Sequence, residues 1–318
     1  MSNTLFDFMK PTPLKVWVDS IRSLLCPPVG NKLLFGAGQH KVMVVGGPNA
    51  RADYHVEAGE EFFLQLEGDM ELLIIPRAGA EAVTIPIREG EAFILPARVP
   101  HSPQRKAGTV GFVMERERLP GEIDALRWYR PNWAVLYEER FACIDLGKEL
   151  RPVIERYNAS EAKRSGEPPP SGAVGAPPSQ DELEPDAPPF AQPINLRTWV
   201  ADARSRGVSG ATPLWGPGAP APRDTSEYRI IAHIGAENSE GTWSEWFKPP
   251  GELFLYQRDL WGAVAVRRVG DTGDGEERVM KDNDVLLVPA GEYEVRVSME
   301  ANAFCLEVTN PRVMQSAV

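Results

Sequence analysis

The sequence predicts a mainly β protein: two antiparallel barrels or sandwiches in one chain, with a few short helices. Three observations predict it. From Lys32 to Arg118, short runs rich in Val, Ile, Phe and Leu alternate with Gly, Pro and Asn turns, and no helical periodicity separates them. The same pattern returns after residue 193. Between the two halves, residues 161–193 carry nine prolines and an acidic patch, which is linker composition.

In chain order, Leu14, Trp17, Ile21, Leu24 and Leu25 form one helical stripe within 13–25, closed by Pro27-Pro28. Strands are expected at 42–45, 61–68, 71–76, 82–87, 92–96 and 110–116, each bounded by turn residues. The segments IDALRWYR and WAVLYEERF within 122–141 suit helix or strand, and CIDLGKELRPVIERY reads as a helix. The linker is expected to be extended and at least partly disordered. Beyond it, INLRTWVADARSRG reads as a helix, followed by YRIIAHIG, TWSEWF, ELFLYQ, GAVAVRR, DVLLVPAG, YEVRVS and FCLEVT as strands. The halves echo each other: Gly59–Gln65 matches Gly251–Gln257, and Gly90–Ala97 matches Asn283–Ala290, so duplication of one unit is expected. The resulting division is residues 1–160, the linker 161–193, and residues 194–318.

The 318-residue chain carries a net charge of −11, which gives it no overall attraction for nucleic acid or anionic membrane. No apolar run is long enough to cross a bilayer as a helix, and no signal peptide is read at the N-terminus. Cys26, Cys143 and Cys305 lie far apart, without a CxxC pair, which suits free thiols in a reducing cytoplasm.

Of the four histidines, His55 and His101 fall in a specific frame. Five residues separate His55 from Glu61, and six more lead to Gly68. Five residues separate Gly90 from Pro96, and His101 follows five positions later. Two imidazoles and one carboxylate can occupy one face of an octahedral ion and leave the other open, which suits non-haem Fe(II). His40 and His233 have no such frame and are expected to be satisfied locally. On a period-2 strand, Arg105 shares a face with His101. An inward Arg105 would seek an anion such as a substrate carboxylate, with Glu115 on the next strand able to accept a proton. Alternatively, Arg105 and Glu115 pair with each other or face solvent.

These two frames resemble the motifs of the cupin superfamily, in which His and Glu come from neighbouring strands and a second His from across the barrel. Two departures stand out: Asp53 replaces a usual His, and Arg98 replaces a usual Gly. The resemblance implies two cupin (jelly-roll β-barrel) domains, the second degenerate. The runs VMVVGGPNARADYHVEAGEEFFLQLEGDMELLI and GEAFILPARVPHSPQRKAGTVGFVMERERL, with PPVGNKLL and LRWY, are similar to the 3-hydroxyanthranilate 3,4-dioxygenase family. The similarity is dense over 15–160 and weaker beyond. The paired CxxC motifs of short bacterial members are absent, so the eukaryotic, two-cupin, monomeric type is implied.

By that resemblance, His55, Glu61 and His101 ligate Fe(2+), and Arg51 stabilises charge developing on dioxygen. Arg105 holds the substrate carboxylate, Glu115 contacts the ring hydroxyl or amine, and Asn49 lines the pocket. The implied partners are a small aromatic substrate and O2. The implied reaction opens 3-hydroxyanthranilate to 2-amino-3-carboxymuconate semialdehyde, which cyclises to quinolinate on the kynurenine route from tryptophan to NAD. A substituted hydroxyanthranilate would leave the same motifs, and a non-catalytic metal-binding bicupin or a zinc or nickel isomerase are the readings from other classes. Aligning Gln257 on Gln65 and Pro289 on Pro96 puts Phe247, Leu253 and Glu294 at the three ligand positions, so the second barrel is expected to hold no metal.

Overall fold

A computed structural model describes residues 9–25, 30–49, 52–177, 190–237 and 241–311. In chain order the elements are β1 (Thr12–Pro13), α1 (Leu14–Ile21), β2 (Asn31–Phe35), β3 (His40–Gly46), β4 (Tyr54–Val56), β5 (Glu61–Glu67) and β6 (Met70–Ile74). Next come β7 (Val83–Ile87), β8 (Glu91–Leu95), β9 (His101–Arg105), β10 (Val110–Arg116), β11 (Asp124–Tyr129), β12 (Val135–Phe141), α2 (Leu146–Ala159) and α3 (Glu161–Ser165). The remainder are β13 (Ile194–Asn195), α4 (Leu196–Ser205), β14 (Gly210–Trp215), β15 (Arg229–Ile234), β16 (Leu253–Arg258), β17 (Gly262–Arg268), β18 (Glu276–Met280), β19 (Asp284–Val288), β20 (Tyr293–Met299) and β21 (Phe304–Thr309).

The described residues divide into two compact units. One holds those within 23–34 and 42–195; the other holds those within 9–22, 35–41 and 196–311. This division differs from the one read off the sequence. Residues 9–22, with α1, and residues 35–41 belong with the C-terminal half.

In the first unit, two six-stranded sheets run in the orders β13-β8-β5-β10-β3-β2 and β12-β11-β4-β9-β6-β7. Their inner faces supply one core: Met43, Phe63, Phe93, Leu95 and Val113 from the first sheet meet Met70, Leu72, Ile74, Ile85 and Ile87 from the second. Alternating inward residues from two sheets are what the short apolar runs encode. Gly68 sits at φ +63 in the tight turn from β5 to β6, a conformation glycine adopts without a steric cost. The ambiguous 122–141 segment becomes the hairpin β11–β12, because β11 finds a partner in β4, with Leu126 opposite His55. Helix α2 packs Leu150, Val153 and Tyr157 onto Leu126 and Trp128, with the Trp128 and Tyr157 rings stacked at 4.0 Å.

In the second unit, a six-stranded sheet (β1-β19-β16-β21-β15-β14) faces a three-stranded one (β18-β17-β20). The duplication is visible in register. Glu61 pairs with Leu95, and the aligned Leu253 pairs with Val288. Leu253, Leu255, Val264, Leu286, Val295 and Cys305 fill the interior with apolar side chains.

Several expectations change. The N-terminal helix stops at Ile21 and tightens into a 3-10 turn over Arg22–Leu24. Leu14, Val18 and Leu25 are buried, whereas the tighter turn carries Leu24 off the buried face, leaving it 52% exposed. Pro27 and Pro28 lie outside the described residues. The first part of the expected linker is ordered: Ser160 caps α3, Ala162 joins the core beside Tyr157, and the Glu138 N–H donates to the Gly175 carbonyl. Residues 178–189 lie outside the described residues. TWSEWF forms only isolated bridges at Trp243 and Phe247 rather than a strand.

Phe63 is 2% exposed in the core of the first unit, and its ring stands edge-on to His101 at 6.2 Å. Phe63→Ala is expected to destabilise this unit by about 3–5 kcal/mol. Chemical denaturation would measure it as a lower midpoint.

Candidate metal centre

The centre lies between the two sheets of the first unit. On β4 and β9, His55 and His101 are direct cross-strand partners, with ring centroids 5.3 Å apart. The four-residue loop after β4, residues 57–60, carries the chain to the facing sheet, where Glu61 opens β5. The two histidines are therefore neighbours and the carboxylate comes from across, whereas the cupin pattern suggested His and Glu as neighbours. All three side chains are buried, and His55 Nδ1, His101 Nε2 and a Glu61 carboxylate oxygen lie within 4.8 Å of one another.

The far side of each ring decides what these atoms can do. His55 Nε2 lies 2.9 Å from Asp124 Oδ2, and His101 Nδ1 lies 3.0 Å from the Val99 carbonyl. Both partners can only accept, so a neutral ring donates its one proton there and turns a lone pair inward. His101 Nε2 then faces Glu61 Oε1 at 2.8 Å, acceptor against acceptor, and His55 Nδ1 lies 3.6 Å from the same oxygen. Three converging lone pairs repel unless a cation, a metal ion or a proton, sits among them. Burial disfavours a charged His55, yet hydrogen bonds and charge from Asp124 and Glu61 outweigh it and raise its pKa to about 9. Burial would likewise raise Glu61, but His101 and His55 hold it well below the usual carboxylate range. The pocket favours positive charge, and its donor set of two imidazoles and a carboxylate fits a divalent transition metal.

Around this triad lies a ring of buried charge. Arg118 donates through Nε to Asp124 Oδ1 at 3.0 Å, through Nη2 to Asp124 Oδ2 at 2.6 Å, and through Nη1 to Glu115 Oε2 at 2.9 Å. Glu57 Oε1 lies 3.1 Å from the same Nη1. Burial pushes the Glu57 and Glu115 carboxyls up, against the pull of Arg118. Glu57, Glu61 and Glu115 also bring oxygens within 4.8 Å of one another, but the guanidinium already serves two of them.

A cavity of about 150 Å³ opens onto the triad, lined by Asn49, Asp53, Arg105 and Glu115 and walled by Val45, Phe63, Pro103, Val113 and Ile154. Arg105 and Glu115 neither pair with each other nor face solvent. Arg105 is 3% exposed and donates to Gln65 Oε1 at 3.1 Å, and Glu115 is gripped by Arg118. Gly111 makes this possible, because a Cβ there would come 2.3 Å from Arg105 Nη1. Asn49 lines the cavity and clasps β9 as well: its Nδ2 donates to the Pro103 carbonyl at 2.8 Å, and its Oδ1 accepts the Arg105 N–H at 2.6 Å. Arg51 lies outside the described residues. Arg98, the departure from the cupin glycine, takes φ +62, a left-handed conformation that costs an L side chain about 1–2 kcal/mol.

Asp124, Arg118, Glu57 and Gln65 were not singled out from the sequence. A signal existed for Asp124: it alternates with Leu126 and Trp128 on the face that carries the core, and a core-facing carboxylate needs a partner.

In the second unit, Leu253 is buried core, Phe247 packs beside it, and Glu294 accepts from Arg267 Nε at 2.8 Å. His233 meets Glu307 at 2.7 Å, and the His40 ring meets the Glu252 carbonyl at 3.1 Å. Among the described residues, no group of three metal-binding side chains converges in this unit.

The family model described as 3-hydroxyanthranilic acid dioxygenase matches residues 8–158. The Bos taurus 3-hydroxyanthranilate 3,4-dioxygenase is 41% identical over 283 residues, covering 89% of this chain and 90% of that protein. The Homo sapiens protein of the same name is 41% identical over 279 residues, covering 87% and 88%. A salicylate 1,2-dioxygenase from Pseudaminobacter salicylatoxidans superposes with a TM-score of 0.56 at 12% identity, over 99% of this chain and 88% of that one, which supports the mainly β two-cupin fold. With 41% identity over nearly nine-tenths of its length, the chain belongs to the 3-hydroxyanthranilate 3,4-dioxygenase family.

Proposed function

We propose that this protein is an Fe(II)-dependent ring-cleaving dioxygenase that converts 3-hydroxyanthranilate and O2 to 2-amino-3-carboxymuconate semialdehyde. Its product cyclises to quinolinate and feeds NAD synthesis from tryptophan. The observation that carries the proposal is the convergence of three lone pairs, from His55, Glu61 and His101, at the wall of a cavity that also holds Arg105 and Glu115.

His55, Glu61 and His101 would hold the iron. Bound there, Fe(II) supplies open coordination positions and the one-electron chemistry by which dioxygen reacts with an aromatic ring. The chain's own residues do the rest. Arg105, held by Gln65, grips the substrate carboxylate through its planar guanidinium. That anchors the ring and turns its hydroxyl and amine toward the triad. Glu115 keeps Oε1 without a hydrogen-bond partner among the described residues, so this oxygen is available to accept the hydroxyl or amine proton. Asn49 fixes the Arg105 backbone. Arg51 is assigned beside dioxygen on its sequence position alone. The apolar walls exclude water from the open ring. Cleavage breaks the C3–C4 bond, and both oxygen atoms enter the product.

The enzyme is read as a cytoplasmic monomer. The widely spaced cysteines support a reducing compartment, and Cys143 and Cys305 are free thiols. No helix among the described residues is long and apolar enough to cross a membrane.

Turnover of 3-hydroxyanthranilate beside its ring-substituted analogues tests the substrate. The plain compound is expected to be consumed with the highest kcat/KM; failure to consume it would refute the assignment. Metal titration of chelator-treated protein is expected to saturate at one ion per chain.

A further inference from the structure

Glu115, on the substrate side of the cavity, and Asp124, behind the metal ligand His55, share one guanidinium. Arg118 spans them with Nη1 on Glu115 Oε2 (2.9 Å) and a two-pronged grip on Asp124 through Nε and Nη2 (3.0 and 2.6 Å). Asp124 Oδ2, so fixed, takes the His55 Nε2 proton at 2.9 Å. The Arg118 side chain is only 7% exposed. Its loop is locked by neighbours: Arg116 is fully buried and bonds Glu122 at 2.6 and 2.8 Å, and the Leu119 N–H donates to the same carboxylate at 2.7 Å. Gly59, in the loop between His55 and Glu61, leaves room for it, since a Cβ there would come 2.9 Å from Arg116 Nε.

We infer that Arg118 is a positioning residue for ring cleavage: it aims the open oxygen of Glu115 into the cavity and, through Asp124, sets the plane of the His55 imidazole. The inference rests on the reading given under Proposed function. Two physical points carry it. Glu115 shares its pocket with Glu57 and Glu61, whose oxygens approach within 4.8 Å, so like charges would turn it away without a cation holding Oε2. A guanidinium also presents its N–H groups in a fixed planar fork, so seating it on Asp124 dictates where Nη1 points. One rigid group therefore sets the angle between the metal side and the substrate side of the site. A lysine would keep the charge and lose that geometry.

The test compares the parent protein with Arg118→Lys, Glu115→Gln and the double variant. Metal Kd is measured by chelator competition without substrate, and kcat and KM are measured after iron loading. Arg118→Lys is expected to lower kcat by about 10–100-fold and to weaken metal binding by about 10-fold, the usual cost of losing a partner of a metal ligand. KM is expected to stay within about threefold, because Arg105 still holds the substrate carboxylate. In the Glu115→Gln background, most of the kcat penalty should vanish, since the two residues act through one contact. If Arg118→Lys does not fold, Asp124→Asn replaces it in the metal arm, with weakened chelator-competed binding again expected. Metal Kd and kcat both within about twofold of the parent would overturn the inference, as would an undiminished kcat penalty in the double variant. Absence of O2 uptake by the parent protein would instead refute the ring-cleavage reading, and the chelator titration would still decide the Asp124–His55 arm.

Discussion

His101→Ala is expected to remove metal binding, weakening it by more than about 100-fold, beyond what loss of an outer hydrogen-bond partner costs. The variant deletes one of three inward lone pairs, and the other two cannot close on a cation from one side. His101 Nε2 lies 2.8 Å from Glu61 Oε1, and its Nδ1 is tied to the Val99 carbonyl, so the ring is fixed with Nε2 turned to the site. The cavity left under Phe63 adds a stability loss, which separates the two effects: the unfolding midpoint falls modestly, while metal content falls to background. Chemical denaturation would show the first and metal analysis after gel filtration the second. Retention of one tightly bound ion per chain in His101→Ala would remove His101 from the ligand set.

Arg105→Ala is expected to keep the metal and lose the substrate. Arg105 is nearly fully buried at the cavity wall, and removing one partner of a buried charge pair costs about 2–5 kcal/mol, or at least about 30-fold in KM. A substrate without a carboxylate makes the complementary test. With 2-aminophenol, the parent enzyme should already be poor, and Arg105→Ala should make little further difference. An unchanged KM for 3-hydroxyanthranilate in Arg105→Ala would show that its carboxylate binds elsewhere.

How much of this was legible in the sequence depends on where each partner sits along the chain. His55, Glu61 and His101 could be read because each lies at a fixed spacing from turn glycines and a proline, and those turns fix which strand ends meet. Gly68 and Gly90 do take positive φ in the structure. Arg105 could be placed facing inward from strand alternation with His101. Alternation with Leu126 and Trp128 could have turned Asp124 inward, but its partners and those of Arg118 lie in contacts across β11, β4 and the loop after β10, which no local pattern encodes. Residues 122–141 were ambiguous for the same reason: their strand character comes from pairing with β4, not from their own composition. The linker misled in the other direction. Its composition is that of a disordered segment, yet α3 docks through Ala162 against Tyr157, and tertiary contact overrode propensity.

The second unit shows what the first would be without its chemistry. The register is shared, but Leu253 stands where Glu61 does, and apolar side chains occupy the interior. A core of that kind stabilises by burial and needs no cation, which is why one ion per chain is expected rather than two.

The most direct measurement is anaerobic reconstitution of the chelator-treated protein with Fe(II), followed by addition of 3-hydroxyanthranilate and then O2. One O2 should be consumed per substrate, with absorbance of the muconate semialdehyde growing and then fading as quinolinate forms, and neither change without iron. Inactivity with Fe(II) together with activity on another divalent metal would contradict the dioxygenase account.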